Sequence, residues 1–101
     1  MSVDLKIEGA GIVIRQARTT AGFGEQQLFA QHAEIPASTL SRYERNERPL
    51  NLMAIRRIAQ ACDVPAKDLA LKCLSEAYPG MLDDSLGRSL GSLVDLMLQD
   101  N

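Results

Sequence analysis

The side chains that could do chemistry in this sequence are mainly arginines and short polar residues in the middle of the chain. Residues 12–62 hold seven arginines and four glutamates, a net charge of +3, whereas residues 76–101 carry −4. The net charge of −2 for the whole chain hides this difference. Arginine offers a forked hydrogen-bond donor to phosphate oxygens and to the edge of guanine. The charge pattern therefore indicates an anion-facing module followed by a tail with a separate role.

Residue types needed for catalysis or metal binding are scarce. His32 is the single histidine, and it has no serine, cysteine or acid beside it in a catalytic arrangement. Cys62 and Cys73 fit no metal-ligand spacing, so we expect free thiols, no metal and no cofactor. The sequence shows no signal peptide and no apolar run of the ~18 residues that a membrane span needs. We expect a non-enzymatic, cytoplasmic protein that does not bind membranes.

Length and composition favour one small helical core. The chain has 101 residues, of which 46% are hydrophobic and 4% aromatic. Ala, Leu, Ile, Arg and Gln dominate, and these residues favour helix over strand. We therefore predict an all-α chain. Apolar periodicity, caps and breakers predict helices over residues 12–21, 26–33, 36–44, a fourth helix capped by Asn51, 66–75 and 81–98.

Residues 1–11 precede these helices and have a different pattern. Residues 3–8 alternate apolar and polar side chains, as a strand does, and Gly9 and Gly11 then end the alternation. A single strand is not stable without a partner edge. We interpret residues 1–11 as an N-terminal arm that is either flexible or paired with a second subunit.

The most informative stretch covers residues 26–45. It predicts two short helices joined by a turn of three to four residues. The apolar positions that would close the angle between them are Phe29, Ala33, Ile35, Leu40 and Tyr43. Ala30 is small at the point where the two helices would approach most closely. This pattern is typical of a helix-turn-helix, whose second helix enters the major groove of DNA.

Residues from five predicted helices carry a resemblance to a known family. They are Arg18 with Gly22, Phe29-Ala30, Ile35-Pro36, Leu40-Ser41 with Glu44, Arg48-Pro49, and Ile58-Ala59 up to Val64. Over residues 14–74 the chain resembles the Cro/C1-type (XRE) helix-turn-helix domain of lambdoid phage repressors and many bacterial regulators. The resemblance implies a five-helix DNA-binding domain over residues 12–76. Residues 77–101 lie beyond it, and their own apolar pattern predicts one further amphipathic helix for dimerisation.

The sequence departs from the pattern of that family in three places. Glu34 and Asn46 stand where the family commonly has glycine. The segment 22–26 is one residue longer than usual, and without the extra residue Glu25 would take the place of Gln26. A non-glycine residue in the turn costs some strain but is tolerable.

The resemblance also implies roles for single residues. Gln26 matches a glutamine that holds a phosphate and supports the recognition helix, and Arg18 and Glu44 match a buried structural ion pair. The base-reading positions are Ala37, Ser38 and Arg42. The positions that meet phosphates through side chains or backbone amides are Thr39, Arg45 and Asn46. The full DNA-binding set that we predict is Gln26, Pro36, Ala37, Ser38, Thr39, Ser41, Arg42, Arg45, Asn46 and Arg48. Arg56 and Arg57 are expected on a solvated face of the fourth helix.

The last predicted helix has a continuous apolar stripe. Its members are Leu82, Leu86, Leu90, Leu93, Val94 and Met97. Gly87 and Gly91 lie four apart and leave a groove that another helix backbone could approach. The stripe forms either a dimer interface or a contact with its own domain. The dimer is favoured because one helix-turn-helix makes too few contacts for tight operator binding.

These observations predict a homodimeric, sequence-specific DNA-binding regulator, and a repressor is the first expectation. Its partner would be a double-stranded DNA operator in the nucleoid of the cytoplasm. Two alternatives stay open. One is an antitoxin of the same fold, which would also neutralise a toxin through its tail or arm. The other is an interaction module that has lost DNA binding. A protein partner such as a toxin or an antirepressor would fit the alternatives.

Overall fold

Six helices make up the described part of the chain. The structure is a computed structural model that describes residues 5–80 and 84–99, and for residues 84–90 only the helical backbone. The helices are α1 Gly11–Thr20, α2 Gln26–Ala33, α3 Ala37–Glu44, α4 Leu52–Cys62, α5 Ala66–Ala77 and α6 Asp84–Gln99. The all-α prediction is confirmed, and the predicted second helix agrees with α2 at both ends. None of these helices is long and apolar enough to span a membrane.

Four helices end at a residue whose backbone is left-handed. Gly22 follows α1 with a φ of 96°, and the Phe23 N–H then donates to the Arg18 carbonyl at 3.1 Å. Glu34, Asn46 and Asp63 end α2, α3 and α4 with φ values of 60°, 60° and 57°. A side chain in this conformation costs roughly 1–2 kcal/mol, which glycine avoids. At Glu34 and Asn46, where the family commonly has glycine, the turns are therefore made without it.

The core lies where α1 to α5 converge. Its largest fully buried side chains are Phe29, Ile7, Ile14, Leu40, Leu50, Ile55, Ile58, Val94 and Cys73. α2 and α3 pack against each other, α1 contacts α3, α4 and α5, and α4 contacts α2 and α5. Phe23 closes the edge of the core by meeting Phe29 edge to face at 5.2 Å. Each fully buried apolar side chain stabilises the fold by roughly 1.5–3 kcal/mol.

The N-terminal segment is not a free arm. Ile7 is 1% exposed, and it pairs with Leu50 in an isolated antiparallel bridge with N–O distances of 2.9 and 2.8 Å. The alternating pattern thus finds its partner edge in the loop between α3 and α4 of the same chain. The expectation of a segment that is flexible or paired with a second subunit is wrong for residues 7–11, because burial of Ile7 and two backbone hydrogen bonds fix it. Residues 1–4 lie outside the described residues.

The C-terminal half of α6 folds back on α5. Val94 is 2% exposed, and Gly91 is buried against α5, where an added Cβ would lie in ordinary van der Waals contact with the Lys67 Cε at 3.5 Å. Lys67 and Asp95 form an ion pair at 3.0 Å across the same two helices. Val94 is therefore a core residue, and its assignment to a dimer interface is wrong because its own chain already covers it.

The inward face of α6 is turned by one residue from the predicted stripe. Gly91, Val94 and Leu98 face the core, whereas Leu93 is 51% exposed and Met97 only partly buried. Successive helical residues lie about 100° apart, so a face centred on Val94 points Leu93 outward. Among the other predicted interface residues, Leu82 and the side chains of Leu86 and Leu90 lie outside the described residues.

Candidate nucleic-acid interface

α2 and α3 are joined by a short turn that is held by backbone hydrogen bonds. The left-handed Glu34 ends α2, and the Ile35 N–H then donates to the Ala30 carbonyl at 2.9 Å. Ile35 is 7% exposed and Ala30 1%, so the turn is fastened to the core at its inner side. Pro36 is the N-cap of α3 and is itself exposed. The start of α3 therefore faces solvent while its inner side is held.

A buried ion pair fixes the end of α3 to α1. The Arg18 Nε lies 2.7 Å from the Glu44 Oε2, the Arg18 Nη2 lies 3.0 Å from the Glu44 Oε1, and the two side chains are only 5% and 4% exposed. The Arg18 Nη1 also donates to the carbonyls of Phe23 and Gly24, both at 2.9 Å. A buried charge is tolerated only when it is paired and hydrogen-bonded. One guanidinium thus joins α1, the α1–α2 loop and α3.

Gln26 belongs to the same network. Its Nε2 donates to the Glu44 Oε1 at 3.0 Å, and its side chain is half-buried at the first position of α2. Glu25 is the N-cap of α2, so the alternative register with Glu25 in the glutamine position is not adopted. Gln26 therefore links the start of α2 to the end of α3, and the second hydrogen of its amide remains for an acceptor in solvent.

The outer face of α3 carries the predicted recognition residues. Ala37, Ser38, Arg42 and Arg45 are exposed, Thr39 and Ser41 are partly buried, and Leu40 and Tyr43 are buried. Within the described residues no carboxylate is paired with Arg42. Helical residues four apart lie on one face, so Ser38 and Arg42 point the same way. The structure brings the predicted base-reading residues together on a single solvent-facing strip.

Two arginines follow this strip. The Arg45 Nη1 lies 3.3 Å from the Glu47 Oε2, and both side chains are more than half exposed, at 58% and 51%. The Arg48 guanidinium lies over the Tyr43 ring, 6.0 Å from its centroid. An exposed ion pair contributes at most ~1 kcal/mol, and a cation over an aromatic face contributes a similar amount. Both arginines are therefore held loosely enough to meet an anion.

Asn46 makes two hydrogen bonds that stabilise the fold. Its Oδ1 accepts a hydrogen bond from the Gly11 N–H at 2.8 Å, and its own N–H donates to the Tyr43 carbonyl at 3.2 Å. The predicted phosphate contact of Asn46 is therefore left with only the side-chain Nδ2 as a donor. The sequence shows no sign of this use, since both partners are backbone atoms.

Two arginines on α4 also have structural partners that the sequence does not reveal. The Arg57 Nη1 donates to the Glu34 carbonyl at 2.9 Å, so α4 is tied to the α2–α3 turn. The Arg56 Nη2 donates to the Leu98 carbonyl near the end of α6. Arg57 is exposed and Arg56 partly buried, in keeping with the predicted solvated face of this helix. In addition, each guanidinium reaches the carbonyl end of another helix, where a cation is favourable.

Both cysteines are free thiols, Cys73 buried and Cys62 partly buried. Burial raises the pKa of Cys73 to about 12 and also raises the pKa of Cys62, so both thiols are protonated at neutral pH. Within the described part of the chain, no group of three His, Cys, Asp or Glu side chains could hold a metal ion.

Comparison with known proteins agrees with this geometry. A family model described as a helix-turn-helix domain matches residues 10–71. The chain belongs to the helix-turn-helix domain family. The matched segment runs from just before α1 into α5, so it contains the α2–α3 unit and leaves out α6. No curated protein matches the chain. The helix-turn-helix fold supports DNA binding by a regulator.

Proposed function

We propose that this helix-turn-helix chain is a transcriptional repressor of the Cro/C1 (XRE) type that binds a near-palindromic operator as a homodimer. The observation that carries the proposal is the exposed strip Ala37, Ser38 and Arg42 on α3. That strip is aimed by a buried network at the opposite end of the helix. A rigid helix with an unpaired arginine on its outer face suits a groove lined with base edges.

Each residue of the strip has a chemical counterpart in the major groove. Arg42 can donate two hydrogen bonds to guanine, a contact that discriminates by roughly 1–3 kcal/mol. The Ala37 methyl can contact the methyl group of thymine, and the Ser38 hydroxyl can donate or accept. Thr39 and Ser41 are partly buried at the sides of the strip and would reach the sugar-phosphate backbone.

Phosphate contacts would flank the strip on both sides. Arg45 and Arg48 follow α3, and Gln26 begins α2 with one amide hydrogen to spare. The first backbone N–H groups of α3, after Pro36, have no partner within the helix and carry its positive dipole end. These contacts supply affinity for any duplex and make that affinity fall with salt.

Dimerisation would use the outward face of α6. Leu93 and Leu96 are 51% and 66% exposed, three residues apart on a helix whose other face is fixed to α5. Leu96 was missed at the sequence level, and with Leu93 it replaces Val94 at the centre of the proposed interface. Met97 would lie at its border; the other predicted interface residues are Leu82, Leu86 and Leu90, whose side chains lie outside the described part of the chain. A twofold axis here would place two α3 helices on half-sites roughly 34 Å apart.

The test is selection of bound sequences from random duplex DNA, followed by sedimentation of the full chain. We expect enrichment of a near-palindrome and a dimeric species, and repression of a reporter whose promoter overlaps that site. Leu93→Glu with Leu96→Glu should give a folded monomer with much weaker operator binding. Absence of any DNA binding at low salt would overturn the proposal. A monomeric wild-type chain would contradict the dimer, and a protein partner such as a toxin or an antirepressor would then be the candidate occupant of the exposed leucines.

A further inference from the structure

The N-terminal segment is fastened to both ends of the loop that joins α3 to α4. At one end, the Gly11 N–H donates to the Asn46 Oδ1 at 2.8 Å. At the other end, Ile7 and Leu50 exchange two backbone hydrogen bonds at 2.9 and 2.8 Å. Arg48 lies between these two anchors, and Arg45 directly precedes the first of them at the end of α3. None of the DNA contacts proposed above uses the N-terminal segment, although it makes these two connections.

The contact at Gly11 is too close for any side chain. A Cβ at this position would meet the Glu44 carbonyl, would lie 2.7 Å from the Tyr43 carbonyl and would lie 2.8 Å from the Asn46 Oδ1. The N-terminus of α1 is therefore seated directly on the C-terminus of α3. Opposite ends of the two helix dipoles meet there, which is a favourable arrangement.

The contact at Ile7 is anchored in the core. Ile7 and Leu50 are each 1% exposed, so the bridge between them is covered and its hydrogen bonds are shielded from water. A loop whose ends are both fixed has fewer conformations to lose when its side chains meet a ligand. This reduced freedom affects Arg48 most directly, because Arg48 lies between the two anchors with its guanidinium over the Tyr43 ring.

We propose that residues 7–11 form a clasp that fixes the loop 45–50 and so positions Arg45 and Arg48 for the DNA backbone. Ile7 and Asn46 are positioning residues in this scheme and need not touch DNA. The inference rests on the proposed function, since it assigns a role to a segment outside the α2–α3 unit. It also explains why an alternating strand pattern precedes an otherwise helical chain.

The first test measures DNA affinity in variants that open the clasp. Asn46→Gly removes the acceptor of the Gly11 N–H but suits the left-handed backbone at residue 46, so the chain should remain folded. Ile7→Ala weakens the other anchor. We expect each change to lower affinity for duplex DNA about three- to tenfold at a temperature where the variants remain folded. Ile58→Ala, a core truncation on α4 away from the loop, is the matched control and should not lower the affinity of the folded chain.

A double-mutant cycle separates positioning from a general structural effect. In a chain that already carries Arg45→Ala and Arg48→Ala, opening the clasp should cost no further affinity, because the side chains that it positions are absent. An equal loss of affinity in both backgrounds would contradict the positioning role.

Amide hydrogen exchange tests the clasp without DNA. We expect the Leu50 amide to be protected in the wild-type chain, and Ile7→Ala to accelerate its exchange and that of the amides of residues 45–48. The Leu40 amide, which donates to the Pro36 carbonyl at 3.0 Å, should keep its rate. An unprotected Leu50 amide would show that no clasp exists. A protected Leu50 in a chain that binds no DNA would overturn the proposed function and the positioning role while leaving the clasp itself in place.

Discussion

The centre of the molecule and its two ends are held by contacts of different chemistry. In the centre, the charged and polar side chains of Arg18, Gln26 and Glu44 form one buried network. At the ends, Ile7 and Val94 are buried by apolar packing and by backbone hydrogen bonds. A buried charge identifies its partner through its chemistry, because only an opposite charge makes its burial tolerable. An apolar side chain does not identify what covers it.

That difference leads us to expect different effects from substitutions in the centre of the molecule and at its ends. The charged network aims α3 in one direction and leaves its outer strip exposed. The ends add surfaces and constraints around that fixed unit, namely a clasp on the α3–α4 loop and a helix with exposed leucines. We therefore expect substitutions in the central network to unfold the chain, and substitutions at the ends to change how it assembles and binds.

The largest expected effect is from Glu44→Ala. It leaves Arg18 buried without its carboxylate and removes the acceptor of Gln26, so we expect a loss of roughly 3–5 kcal/mol in the free energy of unfolding. Thermal and urea denaturation measure it. Glu47→Ala removes a glutamate from an ion pair that is about half exposed, and it should change stability by less than about 0.5 kcal/mol. Equal melting curves for wild type and Glu44→Ala would show that the network does not stabilise the fold.

Arg42→Ala tests the exposed strip of the centre. We expect operator binding to weaken by roughly 1–3 kcal/mol, with relaxed preference at one base pair in each half-site and unchanged stability. Arg45→Ala should instead weaken binding to all sequences and reduce the salt dependence. Lys72→Ala on α5 removes the same charge away from the strip and serves as the control. Unchanged specific affinity in Arg42→Ala would contradict the assignment of α3 as the recognition helix.

Most of the central unit could be predicted from sequence because its signals are local or chemically specific. Apolar spacing and turn residues close in sequence predict helices over residues 26–33 and 36–44, and the structure has α2 at 26–33 and α3 at 37–44. The Asn51 cap is also local, since its Oδ1 accepts from the Ala54 N–H at 2.8 Å. The pairing of Arg18 with Glu44 was implied by the family resemblance and not by spacing, and the structure places the two in contact.

The rest could not be predicted because its partners are distant backbone atoms or generic apolar surfaces. The Arg57 guanidinium donates a hydrogen bond to a carbonyl 23 residues away in sequence, and the Gly11 N–H donates to a side chain 35 residues away. The strand-like alternation around Ile7 is accompanied by a single β-bridge, but the alternation could not indicate that Leu50 would be its partner. The apolar stripe predicted on α6 likewise did not indicate which face meets α5, since Val94 is buried there while Leu93 is 51% exposed.

Val94→Ala tests the position of α6. Removal of two buried methyl groups should cost roughly 1–2 kcal/mol of stability, because the cavity lies between α6 and the core. Leu96→Ala, on the exposed side of the same helix, should change monomer stability by less than about 0.5 kcal/mol. Denaturation at protein concentrations low enough to exclude assembly measures both. A result in which Leu96→Ala is the more damaging of the two would show that α6 packs with its other face inward.

The smallest expected effect is a gain in stability from Glu34→Gly. Glu34 is exposed and has a left-handed backbone with a φ of 60°. Its structural contact is made by the backbone carbonyl, which accepts a hydrogen bond from Arg57. Glycine removes the strain of the side chain while its greater freedom in the unfolded chain offsets part of the gain, so we expect a stabilisation of about 0.5–1 kcal/mol. For a chain of this size that corresponds to a rise of a few degrees, roughly 2–8 °C, in Tm.

Asp63→Gly, at the equivalent position after α4, should give a similar gain in stability and leave DNA affinity unchanged. Glu34→Gly should in addition raise affinity for duplex DNA, because it removes a negative charge beside the start of α3. A loss of stability in both variants would mean that these left-handed residues are not strained, and the turns would then owe their shape to the side chains themselves.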